Sequence, residues 1–225
     1  MALVLPFGLD LSDQVFREAE RVLRTGGVVA APTETFYALA ACPFDAGAVS
    51  RIRGIKGREE GKPILLLIAH CRQLTDLVQD IPAAARALIE AFWPGPLTLV
   101  MPAAFALPGE VTSQTESVAV RHSSHRNLGR LLTRVGPLTG TSANRSGRPA
   151  ACTAEEVQAS LGPEIDLILD GGPSPGVSPS TVVDTRNPVR ILREGPVTRK
   201  QILTVLTASG IVLAGRAVET PEKTQ

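Results

Sequence analysis

Residues 12–37 read SDQVFREAERVLRTGGVVAAPTETFY, and this stretch decides the fold class. Val15, Ala19 and Val22 recur at three- and four-residue spacing, with Phe16 and Leu23 beside them, which predicts a helix over residues 13–25 with one apolar face. Ser12 is positioned to cap it, and Gly26-Gly27 ends it. The periodicity then changes. Residues 28–31 are a short apolar run stopped by Pro32, as expected of a strand covered on both faces. The polar Pro32-Thr33-Glu34-Thr35 that follows lies just past a strand end, where open α/β sheets hold ligands. Its threonines suit either a small polar substrate or the capping of a turn.

The same interleaving continues outward. Asp45 caps a helix running to residue 55, residues 64–68 form a strand, and Pro82 opens a helix to about residue 92. Trp93-Pro94-Gly95-Pro96 is a turn. Residues 97–101 and 117–121 are strands, residues 125–135 a helix, and residues 137–141 return to the sheet. Thr153-x-x-Glu156 and Thr198-x-x-Gln201 are capping boxes, the second opening a terminal helix. Late strands fall at residues 166–169, 181–184 and 189–192. With no repeat and no linker, residues 1–210 are expected to form one α/β domain, followed by a polar tail over 211–225. Residues 171–179 are a long loop carrying three prolines, readable as a lid or binding loop, or as a stiffened surface loop.

Bulk numbers exclude several classes. The 225 residues are 44% hydrophobic and 20% charged, so a core is affordable and disorder is not expected. A net charge of +1 does not advertise nucleic acid or an acidic membrane as an obligatory partner. Cys42, Cys71 and Cys152 are far apart, which disfavours zinc ribbons and disulfide frameworks and fits a reducing cytosol. Residues 1–10 lack the basic and apolar regions of a signal peptide, and the longest apolar run, residues 64–69, is too short to span a bilayer. A cytoplasmic location is therefore expected.

Two separated motifs carry the chemistry, Lys56-Gly57-Arg58 and Ser142-Ala143-Asn144. Lys56, Arg58 and Lys62 place three cations where a helix gives way to a strand. Arginine can hold phosphate bidentately and lysine as a point charge. Alone, they read better as a solvated basic helix end stabilised by the helix dipole. The stretch is not a Walker loop, because residue 56 is Lys where the first glycine should be and Pro63 stands where the magnesium-binding hydroxyl should be. Residues 139–147 cluster four hydroxyls and an amide after an apolar strand, without a Gly-x-Ser-x-Gly elbow or a nearby histidine. Arg121 and Arg193 end or follow strands, positions that suit an anion or solvent. His70, His122 and His125 have no metal spacing, and Arg126, Arg130 and Arg134 read as a solvated helix face rather than an RNA stripe.

Taken in order, Pro32-Thr33-Glu34-Thr35-Phe36-Tyr37, Lys56-Gly57-Arg58 with Lys62-Pro63, Trp93-Pro94-Gly95-Pro96-Leu97-Thr98, Val118-Ala119-Val120-Arg121, Thr141-Ser142-Ala143-Asn144-x-Ser146-Gly147, Ser180-Thr181-Val182-Val183-Asp184 and Ile191-Leu192-Arg193 resemble the YrdC/Sua5 family of threonylcarbamoyl-AMP synthases. The resemblance covers about residues 12–208 and follows the short, single-domain form. It implies an α+β, three-layer fold of YrdC/RibB type: a twisted mixed β-sheet flanked by helices on both sides, with a deep central cavity.

The implied reaction joins L-threonine, bicarbonate and ATP, with Mg2+, into threonylcarbamoyl-AMP and pyrophosphate. A partner transferase then modifies adenosine 37 of tRNA. On the same basis Lys56, Arg58, Lys62, Ser142, Asn144 and Arg193 are assigned to ATP, with Lys56 and Arg58 catalytic. Thr35, Arg121, Thr141 and Ser180 are assigned to threonine. The magnesium ligands are left open. Two departures stand out: Tyr37-Ala38-Leu39-Ala40 where the family has Tyr-Gly-Leu-Gly, and Gly176-Val177-Ser178-Pro179-Ser180 before Thr181 where it often has Gly-Val-Glu-Ser, an extra proline and a missing carboxylate. The competing readings are a carbamoyl-adenylating domain of a hydrogenase maturation protein, an inactive paralogue, and a double-stranded RNA or tRNA binder using the same cationic cavity without turnover.

Overall fold

The computed structural model describes residues 1–8, 12–57 and 63–214. Strand β1 (Leu3–Pro6) precedes helix α1 (Asp13–Arg24), which buries Val15, Phe16, Ala19, Val22 and Leu23 as its periodicity requires. Ser12 stands at the N-cap, but its hydroxyl makes no capping bond. The apolar run becomes β2 (Val29–Ala31), and an unforeseen strand, β3 (Ala38–Ala40), returns antiparallel beside it. Helix α2 (Ala46–Lys56) is capped by Asp45, whose carboxylate accepts the Ala48 N–H at 3.0 Å. Gly57 ends it with φ 56°, a left-handed conformation that favours glycine.

Strand β4 (Leu65–Ile68) leads through a 3-10 turn (Cys71–Asp76) to α3 (Ala83–Phe92), where Pro82 is the N-cap rather than the first helical residue. Then come β5 (Leu97–Pro102), a short α4 (Gly109–Thr112), β6 (Ser117–His122) and α5 (Arg126–Val135). Next are β7 (Leu138–Thr139), β8 (Thr141–Ser142), α6 (Ala154–Leu161), β9 (Leu167–Asp170), β10 (Thr181–Asp184), β11 (Arg190–Arg193) and α7 (Arg199–Ala208). Only the second capping box closes fully. At the first, Thr153 accepts the Glu156 N–H, but the Glu156 carboxylate takes the Cys152 N–H at 2.6 Å instead. Ile211 packs against the core, Leu213 bridges to Val189, and residues 215–225 of the expected tail lie outside the described residues.

Hydrogen bonding divides the strands into two mixed sheets, ordered β1-β9-β2-β3-β8 and β11-β10-β5-β6-β4-β7. The expected single strand over 137–141 is where they separate. Thr139 pairs with Leu66 in the second sheet, whereas Thr141 pairs with Leu39 in the first. Gly140 turns between them because nothing larger fits: a Cβ there would lie 2.4 Å from Leu67 Cγ.

Strand alternation then sorts side chains between two cores. Val29, Ala31, Ala38, Ala40 and Leu67 meet the apolar faces of α1 and α5. Ala30, Leu39, Leu66 and Ile68, together with Leu97, Leu99 and Met101 of β5, meet α2, α3, α6 and α7. The alternate residues of β5, Thr98 and Val100, therefore point the other way, into a cavity.

Candidate functional site

That cavity has a volume of about 710 Å3 and is walled by residues from both sheets. Its wall includes Thr35, Lys56, Arg121, Thr141, Ser142, Asn144, Ser180 and Arg193, eight of the ten residues assigned from the sequence. Arg58 and Lys62, the other two, lie outside the described residues.

Lys56 and the Ser142–Asn144 motif are one hydrogen-bonded unit. The Lys56 ammonium donates to Ser142 O at 2.6 Å, Asn144 O at 2.8 Å and Asn144 Oδ1 at 3.3 Å. Ser142 Oγ also donates to Asn144 Oδ1, at 2.5 Å, while Asn144 Nδ2 donates to the carbonyls of Arg145 and Arg148. The loop in turn serves the end of α2. Its last carbonyls need partners, and Ile55 O accepts from Arg145 Nη1 while Lys56 O accepts from Ser146 N. A buried cation is thereby held by carbonyl dipoles and brings a positive charge to the cavity wall.

At the other side stands Arg121, on β6 and only 3% exposed. Its Nη1 donates to Thr35 Oγ1 at 3.0 Å. Thr35 is itself fixed by Thr33, whose hydroxyl lies 2.9 Å from Thr35 Oγ1, accepts the Thr35 N–H and donates to Phe36 O. The two threonines thus cap a turn and present a hydroxyl to the cavity at once. Burial works to lower the affinity of Arg121 for its proton, with the nearby Glu34 carboxylate opposing, yet a guanidinium stays charged in proteins. A buried, charged, planar donor in a cavity wall is suited to a carboxylate.

Arg193 Nε and Nη2 donate to Ser180 O at 3.0 and 2.8 Å, and Ser180 Oγ lies 2.8 Å from Thr98 Oγ1. Burial and the positive charge of Arg121 both push the Arg193 proton affinity down, so the two cations share one field. Pro179 and Ser180 both line the cavity. The departures at Ala38 and Ala40 separate: Ala38 lines the cavity, while Ala40 packs only in the core beneath. The 171–179 loop is tied down near Thr35. Tyr37 Oη donates to Gly172 O at 2.8 Å and accepts from Gly171 N, and Gly176 N donates to Thr35 O.

Thr98, Thr115, Ser117, Ser146 and Arg186 also line the cavity and were not assigned from the sequence. Thr98 and Ser117 left a signal, as polar residues within apolar strands. Arg186 left none; its guanidinium makes two hydrogen bonds to the Asp184 carboxylate. The histidines form no metal cluster among the described residues. Burial lowers the proton affinity of His122 and His125, and His125 Nδ1 accepts the Leu128 N–H as the cap of α5. Arg130 and Arg134 lie over the Phe16 ring, and Arg134 pairs with Asp13 and Glu20 of α1.

Comparison with known proteins converges on one group. A family profile named for Sua5, YciO and YrdC and described as telomere recombination matches residues 21–195. The threonylcarbamoyl-AMP synthase of Vibrio cholerae is 39% identical over 182 residues, covering 80% of this chain and 96% of that protein. Pyrococcus abyssi Sua5 crystallised with L-threonine superposes with a TM-score of 0.89 at 35% identity, over 97% of this chain. This chain spans 66% of that longer protein. Escherichia coli YciO superposes with a TM-score of 0.79 at 26% identity, over 87% of this chain and 97% of its own.

Proposed function

Because the chain belongs to the Sua5/YciO/YrdC family, we propose that it is an L-threonylcarbamoyladenylate synthase, a nucleotidyltransferase acting on L-threonine, bicarbonate and ATP. The observation that carries this reading is the buried Arg121, opening with Thr35 onto the same cavity as the Lys56-held Ser142–Asn144 loop. The relative crystallised with L-threonine supports the amino-acid side of it.

In this mechanism the threonine carboxylate pairs with Arg121 and contacts the Thr35, Thr141 and Ser180 hydroxyls. Its amine takes up bicarbonate as a carbamate, with loss of water. A carbamate oxygen attacks the α-phosphorus of ATP, the bond to the β-phosphate oxygen breaks, and pyrophosphate leaves. No protein nucleophile is needed. The enzyme brings two anions together and offsets their repulsion with fixed positive charge, the work of Lys56, Arg193 and, by resemblance, Arg58 and Lys62. Ser142 and Asn144 hold the nucleotide. A walled cavity shelters the labile carbamate from water.

The described cavity wall carries no carboxylate, and no cluster of three His, Cys, Asp or Glu exists among the described residues. Magnesium would enter on the ATP phosphates, and its ligands on this chain are left open. The product would be consumed by a partner transferase that modifies tRNA at position 37.

The test is pyrophosphate release by purified protein with MgATP, adding and omitting threonine and bicarbonate. Release that needs both, and that falls at least tenfold in a folded Arg58→Ala variant, is expected. Absence of any threonine dependence, with tRNA still bound, would replace this reading by the RNA-binding one.

A further inference from the structure

Glu34 does not line the cavity, yet it abuts the residue through which threonine is read. Its Oε1 lies 3.4 Å from Arg121 Nε, within ion-pair range, but the two are not aligned for a hydrogen bond. Both atoms are buried and neither has a hydrogen-bond partner. The other carboxylate oxygen accepts a short hydrogen bond from the Ser123 hydroxyl, which in turn accepts the His125 N–H at 3.2 Å. Arg121 is thus gripped twice by consecutive residues of one turn, electrostatically by Glu34 and through Nη1 by Thr35.

We infer that Glu34 is the positioning residue of the amino-acid subsite, fixing the plane of the Arg121 guanidinium so that its open edge meets a carboxylate. The inference rests on the reading of Arg121 as the threonine carboxylate partner. Its physical basis is that a buried charge must be compensated and oriented before the ligand arrives. With Glu34 behind it, the guanidinium is neutralised on the wall side and held in one rotamer. A carboxylate ligand then gains charge-assisted hydrogen bonds without first reorienting its receptor. Ser123 belongs to the same device, since its hydroxyl holds the second Glu34 oxygen in place.

The discriminating readout is the ratio of affinities for L-threonine and L-threoninamide, which differ in the carboxylate. Calorimetric titration of the full chain, without ATP, should show strong preference for threonine in the wild type. In Glu34→Gln that preference should shrink about tenfold or more, as expected for loss of an oriented charge-assisted contact, while the affinity for ATP changes less than about twofold. Ser123→Ala, a smaller change at the same carboxylate, should shrink it in the same direction but less.

An unchanged threonine-to-threoninamide ratio in both folded variants would overturn the inference. So would equal loss of both ligands, which marks a merely structural role. Failure of the wild type itself to bind threonine would overturn the underlying reading and the inference together, and is distinguishable because it appears before any substitution is made.

Discussion

Lys56 shows how far a single residue can be read and where the reading stops. Its charge and its place at a helix end were visible in the chain. Its partners, the carbonyls of Ser142 and Asn144, lie 86 and 88 residues away and no local pattern names them. Tyr37 was legible only as part of a motif, and the structure gives it a task, anchoring the Gly171–Gly172 corner of the loop that reaches Thr35. Burial pushes its phenol up to about 12 from the ordinary 10. A group whose folded pKa is raised contributes stability that is complete below the unfolded value and is lost as pH rises through the folded one. Tyr37 should therefore support the fold below pH 10 and cease to do so as pH approaches about 12. Urea unfolding across that window should show a steeper decline in the wild type than in Tyr37→Phe. Parallel curves would remove Tyr37 from this role.

At the level of elements, most helices and strands follow from periodicity and caps, as at α1, α2 and α7. The failures share a cause. Strand β3 is three residues of Ala-Leu-Ala, too short for alternation to register, and it exists because β2 and β8 pair with it on either side. The division of 137–141 into β7 and β8 was invisible because Gly140 looks like any glycine until Leu67 is packed against it. Gly140→Ala should cost about 1–3 kcal/mol by overpacking, measured as a lower urea midpoint. Because Thr141 and Ser142 follow directly, threonine-dependent pyrophosphate release should fall with it. Full stability in that variant would mean that Leu67 yields its place at little cost.

For the whole molecule, the two sheets matter more than either alone. Thr141 and Ser142 come from the first sheet, Thr98 and Arg121 from the second, so a ligand bound between them would join both. Ligand that binds only the folded state stabilises it by mass action, by about 2.7 kcal/mol at a hundredfold excess over Kd. For a chain of this size that corresponds to roughly 5–10 °C in melting temperature. L-threonine should produce a shift of this order, glycine much less, and Arg121→Lys should abolish most of it, because a point charge cannot replace a planar fork. Equal shifts with threonine and glycine would show that the cavity does not read the amino-acid side chain.

The sequence by itself determined the α/β class and the ends of most elements, because periodicity and capping act over a few residues, while the eight assigned residues that line one cavity were named by resemblance to a family and not by local pattern. The tertiary structure decided that there are two sheets rather than one, that Lys56 is tied to the Ser142–Asn144 loop, and that Glu34 stands behind Arg121. Those outcomes depend on which distant segments become neighbours, and contact between segments some 90 residues apart is fixed by packing of the whole chain, not by any local pattern of it.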